Sequence, residues 1–243
     1  MADILIKSIR YRDLSSLYSC PDLCITKITH KVLIIRIETD GFFSSMGMLK
    51  THLTREELER SQRFVSHDAS DRWVIYRAIL RIILAKILRV APIQIPIHVK
   101  KHGKPYLAKR FDLDLRFNLS HSRNYALYAL AIGHEVGIDI EEDRSNFCIS
   151  MAELVLCEYE MRGLMLLPPC LQKQAFLRLW TKKEAISKVF GQGLMLDFKE
   201  MVLGVSDGPS PKRQASFRGI DLFDLSDDRC FATLAIDSQG IAG

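Results

Sequence analysis

The 243-residue sequence lacks the short patterns of several common catalytic and binding classes. It contains no His-Glu-x-x-His zinc helix, no dinucleotide-binding fingerprint and no Walker loop. Basic and aromatic residues are not interleaved as they are in nucleic-acid readers. These absences disfavour a zinc protease, a nicotinamide-dependent enzyme, a P-loop nucleotidase and a nucleic-acid-binding protein.

Cysteine is present without the spacing that zinc sites or redox pairs require. None of the six cysteines forms a Cys-x-x-Cys pair, and Cys20 and Cys24 have no second pair to complete a zinc site. We therefore predict reduced, mostly packing cysteines, as in a cytoplasmic protein.

No apolar run is long enough to cross a membrane. The longest, at 74–88, is interrupted by Arg77, Arg81 and Lys86, which indicates a buried amphipathic helix. Asp3 and Lys7 interrupt the short apolar run at 1–9, which is unlike a signal peptide. We expect a cytoplasmic protein that does not bind membranes.

The overall composition is that of a folded protein with a mildly basic surface. Hydrophobic residues make up 48% and charged residues 26%, and the net charge is +5. The length allows one large domain or two small ones. The positive charge fits an anionic ligand or an acidic protein partner, and an ordinary solvated surface explains it equally well.

The order of hydrophobic patterns predicts two similar halves. Strands or helices are indicated at 31–38, 54–64, 68–88, 95–100, 125–132, 135–141, 150–167, 171–190, 198–205, 215–223 and 230–237. The link Gly133-His134 predicts a hairpin between two of the strands. We predict an α+β fold with a pseudo-two-fold duplication, each half a small antiparallel sheet packed on helices, and an active site in the cleft between halves. Residues 1–29 are expected to be an irregular extension of unknown role, followed by halves at 30–133 and 134–243.

Acidic side chains are concentrated on one strand and one later helix. Asp139 and Glu141 are two residues apart and share a strand face, and Glu184 and Lys188 share a helix face. If the helix packs over the strand end, the three carboxylates would suit Mg²⁺ or Mn²⁺. The alternative is a solvated edge strand and an exposed helical ion pair, which the pattern alone does not exclude.

Two polar segments precede the acidic strand. Residues 117–122, Phe-Asn-Leu-Ser-His-Ser, are predicted to be a loop whose Ser120 and His121 suit phosphate contacts. The alternative is a loop that hydrogen-bonds its own backbone. Gly103-Lys104-Pro105 predicts a turn, and most such tripeptides have no further role.

In this order, these segments resemble the signature of the 4′-phosphopantetheinyl transferases. Gly137-Ile138-Asp139 and the segment 180–188, Trp-Thr-Lys-Lys-Glu-Ala-Ile-Ser-Lys, match its two central motifs, and 103–105 and 117–122 match two more. The length and the two-half plan are similar to the single-chain, Sfp-type class. Residues 1–29 have no counterpart in the resemblance.

The resemblance implies transfer of the 4′-phosphopantetheine arm of coenzyme A to a serine of an apo acyl or peptidyl carrier protein, releasing 3′,5′-ADP. It implies a pseudo-dimeric monomer in fatty-acid, polyketide or nonribosomal-peptide biosynthesis. The N-terminal half would bind coenzyme A, and the C-terminal half would hold the metal and, near 151–167, dock the carrier.

Residue roles follow from the same resemblance. Asp139, Glu141 and Glu184 would bind Mg²⁺, with Mn²⁺ possible. Asp139, Glu184 and Lys188 would be catalytic, Glu184 as the base towards the serine. Coenzyme A would contact, through its phosphates and adenine, Arg60, Arg72, Gly103, Lys104, Pro105, Ser120, His121 and Lys183.

Two other functions are compatible with the same residues. One is a catalytically silent, coenzyme A-binding regulatory or assembly protein, which retention of all three acids and both lysines disfavours. The other is a metal-dependent phosphohydrolase, which the scarcity of further histidine or aspartate ligands disfavours.

Overall fold

A computed structural model describes residues 5–19, 31–108, 111, 113–143, 147–191, 196–205 and 213–237. Within these residues the strands are β1 Leu5–Tyr11, β2 Lys31–Glu38, β3 Ile97–Val99, β4 Pro105–Leu107, β5 Leu115–Ser122, β6 Tyr125–Ile132, β7 Val136–Glu142, β8 Arg213–Phe217, β9 Ile220–Asp224 and β10 Cys230–Asp237. The α-helices are α1 Leu14–Ser19, α2 Met46–Lys50, α3 Arg55–Ser61, α4 His67–Leu88, α5 Ile149–Val155, α6 Glu158–Met165 and α7 Pro169–Phe190.

The N-terminal half is a four-stranded sheet covered by α4. The strand order is β1-β2-β6-β5, in which β1 is parallel to β2 and the other pairs are antiparallel. One face of β2 and β6, including Ile35 and Tyr128, packs with α4 residues such as Ile79 in one hydrophobic core. The Ser66 side chain caps the start of α4, and Arg89 ends the helix in the left-handed conformation.

The C-terminal half repeats this plan. Its sheet has the order β7-β10-β9-β8, and α7 packs on one face in a second core that includes Ile186 and Leu222. The opposite faces of the two sheets meet in a third core, where Ile34 and Leu127 pack with Ile138 and Leu234. The layers are therefore helix, sheet, sheet and helix, and both long helices contain 22 residues. The predicted α+β fold with two similar halves is confirmed.

The N-terminal residues are not irregular where the structure describes them. β1 adds a strand to the first sheet through seven residue pairs with β2, and α1 buries Leu14 and Leu17 in the first core. Arg10 also contacts Asp227 of the other half at 3.3 Å. The prediction missed β1 because the strand has few apolar residues and Lys7, Ser8 and Arg10 interrupt them.

The predicted hairpin across Gly133-His134 is wrong. β6 lies between β2 and β5, whereas β7 pairs with β10 in the second sheet. Gly133 has a φ of +74°, which lets the chain turn from one sheet into the other. β7 is instead attached to β5 by side chains, since Asn118 Oδ1 accepts a hydrogen bond from the Ile138 amide at 3.0 Å.

Four other segment predictions are corrected. Residues 117–122 belong to β5 instead of a loop, and the helix predicted at 150–167 is two helices, α5 and α6, separated at Leu156 and Cys157. The strand predicted at 198–205 is a short 3-10 turn, Phe198–Glu200, followed by irregular chain. The segment 215–223 is the β8–β9 hairpin, whose turn residues Arg218 and Gly219 both have positive φ, as type I′ turns require.

Candidate active site

The seam between β7 and α7 is unusually close at Gly137. A β-carbon built there would lie 2.0 Å from the carbonyl oxygen of Ala185 and 2.8 Å from the amide nitrogen of Val189. Any side chain would therefore separate the strand from the helix. This contact is the physical reason for glycine before the acidic residues, and it places Asp139 beside the last turns of α7.

Asp139 is buried at this seam and pairs with the ammonium group of Lys188. Its Oδ1 accepts hydrogen bonds from Lys188 Nζ at 2.6 Å and from Ser120 Oγ at 2.8 Å. Lys188 Nζ also donates to the Ile138 carbonyl at 3.0 Å. Asp139 Oδ2 is buried and has no hydrogen-bond partner among the described residues. An unpaired buried carboxylate oxygen indicates a place for a ligand that the protein itself does not supply.

Glu141 and Glu184 lie close enough to Asp139 to feel its charge. Glu141 accepts hydrogen bonds from Trp180 Nε1 at 3.3 Å and Ser122 Oγ at 3.2 Å, and Glu184 makes none within the described residues. Burial and then the charge of Asp139 raise the pKa of both glutamates. The described residues contain no preformed cage of three or more metal-binding side chains. The three carboxylates thus repel one another, and a bound cation would reduce this repulsion.

A pocket of about 390 Å³ adjoins this group. It lies between α3, α4, the β3–β4 hairpin, β5 and α7, and none of the described residues that line it is acidic. Four of the lining residues are basic, namely Arg60, Arg77, His121 and Lys188. The pocket therefore suits an anionic ligand with an apolar part, since Trp73, Leu80, Val99 and Pro105 complete its walls.

Lys188 joins the pocket to the acidic group. Its side chain lines the pocket while its ammonium pairs with Asp139. Ser120 has the same double position, because it lines the pocket and donates to Asp139. A ligand in the pocket would consequently end against the carboxylates.

His121 stands at the open side of the pocket. Its ring lies parallel to that of Tyr76, with the centroids 4.3 Å apart and an angle of 9° between the planes. His121 is partly exposed to solvent, but neighbouring protein groups reduce the hydration of its ring and so lower the pKa of His121. The charge of Lys188 acts in the same direction, so the ring is neutral near pH 7.

The arginines of the first half occupy different positions. Arg60 lines the pocket and lies over the Trp73 ring at 5.7 Å. Arg72 lies outside the lining and donates to the Arg123 carbonyl at 2.5 Å and to Asp68 at 2.9 Å. Of these two predicted phosphate contacts, the structure brings Arg60 to the pocket and holds Arg72 at the β5–β6 turn.

Two family models match the chain in succession. The model described as "4′-phosphopantetheinyl transferase, N-terminal" covers residues 44–132, and that of the "4′-phosphopantetheinyl transferase superfamily" covers 135–233. The 4′-phosphopantetheinyl transferase HetI of Nostoc sp. is 33% identical over 218 residues, which are 89% of this chain and 92% of HetI. The chain belongs to the 4′-phosphopantetheinyl transferase superfamily.

Two further relatives in the superfamily match a smaller share of the chain at lower identity. The 4′-phosphopantetheinyl transferase gsp of Aneurinibacillus migulanus is 27% identical over 68% of each chain. Sfp of Bacillus subtilis, also a 4′-phosphopantetheinyl transferase, is 26% identical over 59% of this chain and 62% of its own. The predicted resemblance to this superfamily is confirmed. Among the described residues, no helix has the length and apolar character needed to span a bilayer.

Lys183, within the central superfamily motif, does not reach the pocket. Its side chain is fully buried and its Nζ donates to Glu160 Oε2 and to the Phe198 carbonyl, both at 2.6 Å. This placement corrects the predicted contact with a coenzyme A phosphate. Successive positions of a helix point in different directions, and position 183 faces the core. Lys183 therefore links α7 to α6 through its ion pair with Glu160.

The three residues 103–105 do not all face the pocket. Gly103 and Pro105 line the pocket as predicted for a ligand-binding turn. The Lys104 side chain points elsewhere and is buried, with its Nζ 2.6 Å from Glu135 Oε2 and 3.2 Å from the Val189 carbonyl. The Lys104 side chain thus forms an ion pair between the two halves, and the position of Lys104 beside the adenine stays a prediction.

The sequence analysis did not identify Tyr76 or Arg77 as pocket residues. Tyr76 was not singled out and Arg77 was considered only as an interruption of an apolar run, yet both line the pocket. Arg77 is held there by an ion pair with Glu57, which also pairs with Arg81 at 2.6 Å. The sequence carried no signal for this position, because the pairing of both arginines with Glu57 of the α3 capping box is a tertiary contact.

Proposed function

We propose that the chain transfers the 4′-phosphopantetheine group of coenzyme A to a serine of an apo acyl or peptidyl carrier protein, releasing 3′,5′-ADP. The observation that carries the proposal is the double position of Lys188, in the basic pocket and against Asp139. Because of this position, the basic pocket lies next to the three carboxylates, whose mutual repulsion a bound cation would reduce. Membership of the superfamily supplies the reaction class.

Coenzyme A would lie in the 390 Å³ pocket with its phosphates towards the basic residues. His121 and Arg60 would contact the 3′-phosphate, with Ser120 beside them. The adenine would pack against the β3–β4 hairpin at Gly103 and Pro105. The pyrophosphate would then reach Lys188, whose ammonium would stabilise negative charge on the departing bisphosphate.

The carboxylates Asp139, Glu141 and Glu184 would hold Mg²⁺, or Mn²⁺ in its place. Their fit is supported by hard oxygen donors, by the unpaired buried Oδ2 of Asp139, and by the raised pKa values of the two glutamates. When bound, the ion would neutralise charge on the pyrophosphate. Lys188 pairs directly with Asp139, and its single positive charge does not neutralise three carboxylates.

The chain's own residues would then handle the proton. In the transfer, the carrier serine oxygen bonds to the phosphorus of the phosphopantetheine, and the bond from that phosphorus to the 3′,5′-ADP oxygen breaks. Glu184 would accept the serine proton, directly or through water. In the metal-free protein, burial and then the charge of Asp139 raise its pKa.

The carrier protein would dock on the helices that follow β7. Exposed apolar side chains cluster on α5 and α6 and after them, including Leu154 at 79% and Leu166 at 86% exposure, with Met151, Tyr159 and Met165. Apolar exposure of this extent is typical of interaction surfaces. We propose a cytoplasmic monomer, since both halves of the cleft come from one chain.

The test is mass spectrometry of an apo carrier protein incubated with the chain, coenzyme A and Mg²⁺, with EDTA as the control. We expect the mass of one phosphopantetheine to be added, and EDTA to prevent it. Asp139→Ala should abolish the transfer while coenzyme A still binds, and Asp228→Ala, an exposed acid in the β9–β10 turn, should behave as wild type. Bound coenzyme A without transfer to any carrier type would instead indicate a silent binding protein.

A further inference from the structure

The stack of Tyr76 on His121 joins the two sides of the pocket. Tyr76 comes from the middle of α4 and His121 from the end of β5, and both line the pocket. The ring nitrogens of His121 make no hydrogen bond to another residue in the part of the chain that the structure describes. The parallel ring of Tyr76 is therefore the contact that sets the plane of the imidazole.

Tyr76 is itself held rigidly. Its hydroxyl donates to the Arg123 carbonyl at 3.0 Å, and its own carbonyl accepts from the Tyr128 hydroxyl at 3.0 Å. The side chain is buried, and Tyr128 is fully enclosed by the first core. A platform fixed at both ends restricts the imidazole far more than a mobile surface tyrosine would.

The parallel arrangement leaves the imidazole edge free. Both ring nitrogens lie in the ring plane, so stacking covers a face and leaves the N–H directions open towards the pocket. A phosphate group there would receive a charge-assisted hydrogen bond from the protonated ring. The electron-rich face of Tyr76 would also favour that protonated state over the neutral one.

We propose that Tyr76 is a positioning residue that orients His121 towards the 3′-phosphate and so sets the preference for coenzyme A over 3′-dephospho-coenzyme A. This inference rests on the proposed function, because it assumes that coenzyme A occupies the pocket. It does not give Tyr76 a direct contact with the reacting atoms. A purely packing role for Tyr76 predicts instead an equal loss for both ligands.

The experiment compares wild type with Tyr76→Leu, Tyr76→Phe, His121→Ala and the Tyr76→Leu/His121→Ala double variant. Calorimetry measures the affinity of each protein for coenzyme A and for 3′-dephospho-coenzyme A. Leucine removes the aromatic face, whereas phenylalanine keeps it and removes only the hydroxyl. We expect Tyr76→Leu to reduce the preference for coenzyme A about three- to tenfold, the usual range for an aromatic pair.

The matched variants separate orientation from packing. Tyr76→Phe should keep the wild-type preference within about twofold, since the stack remains. Tyr76→Leu should cause no further loss of preference in the His121→Ala background, because the oriented group is already absent. Equal weakening of both ligands by Tyr76→Leu, or additive losses in the double variant, would overturn the proposal.

A measurement on the unmodified protein covers the case in which Tyr76→Leu does not fold. The imidazole proton signals of His121, assigned by comparison with His121→Ala, should show an upfield ring-current shift that persists in the coenzyme A complex. Loss of that shift on binding would overturn the proposal. A wild type with no preference between the two ligands would also overturn it, while carrier modification would still support the proposed function. Retained preference without any carrier modification would support Tyr76 and refute the transferase.

Discussion

Replacing Gly137 by alanine tests whether the strand–helix seam controls the site. The new β-carbon would lie 2.0 Å from the Ala185 carbonyl oxygen, whereas ordinary contacts begin at 3.4 Å. The difference of 1.4 Å must be met by moving β7 away from α7. Because Gly137 is only two residues from Asp139, the displacement would be felt at the contacts of Asp139 with Lys188.

The size of the effect follows from overpacking and misplacement. Inserting a methyl group into a packed seam costs about 1–3 kcal/mol, and at about 2–4 °C per kcal/mol the melting temperature should fall by roughly 2–12 °C. A shift of about 1 Å between catalytic groups costs on the order of 100-fold in rate. Thermal unfolding measures the first effect, and the kcat/KM of carrier modification measures the second.

The matched control is Gly47→Ala, in α2. No atom lies within 4 Å of the β-carbon that this substitution would add. Alanine in a helix should leave the melting temperature unchanged or slightly raised, and transfer should be unaffected. A Gly137→Ala protein with wild-type stability and rate would refute the reasoning, because it would show that the seam opens without moving the site.

Three further predictions concern charged groups of the same half and the pocket. Lys183→Met should lower the free energy of unfolding by about 3–5 kcal/mol in denaturant titrations, because it leaves the buried charge of Glu160 without its cation. A variant with normal stability but weak coenzyme A binding would instead support the original prediction that Lys183 contacts a coenzyme A phosphate. Glu184→Gln should abolish transfer yet stabilise the metal-free protein at pH 7 by about 1 kcal/mol. Since the pKa of Glu184 is raised in the folded protein, its protonated form is the stabilising one. The stability gained by glutamine should therefore fade as the pH falls through that raised pKa, and it should be gone below the usual range of a glutamate; a pH-independent gain would contradict this. Because burial and Lys188 lower the pKa of His121, and a bound phosphate would raise it again, the affinity of wild type for coenzyme A relative to His121→Ala should increase from about pH 8 to about pH 6; a constant ratio would place the phosphate elsewhere.

The acidic strand and its helix were predictable because local periodicity determines which residues share a face. Asp139 and Glu141 alternate correctly along β7, and Glu184 and Lys188 lie one turn apart on α7. The meeting of strand and helix was inferred, and the 2.6 Å contact between Lys188 and Asp139 bears it out. The metal itself and the roles of these residues remain predictions.

The direction of individual side chains in the motifs was not predictable. Lys183 and Lys188 are both conspicuous lysines of one helix, yet the first faces the core and the second faces the pocket. Lys104 follows a glycine that lines the pocket, but its ammonium turns to Glu135. Which partner a long cationic side chain reaches depends on neighbours far away in sequence.

The sequence by itself determined the two long helices, several of the strands and the clustering of acids on one face, because propensity, capping and periodicity are local. The tertiary structure decided which strands pair. β1 joins a sheet through a parallel contact with β2, and β7 leaves β6 for β10 across the chain. It also brought Tyr76 from a helix onto His121 of a strand. These pairings depend on contacts between residues that are distant in sequence. The propensity of a single segment therefore does not predict them.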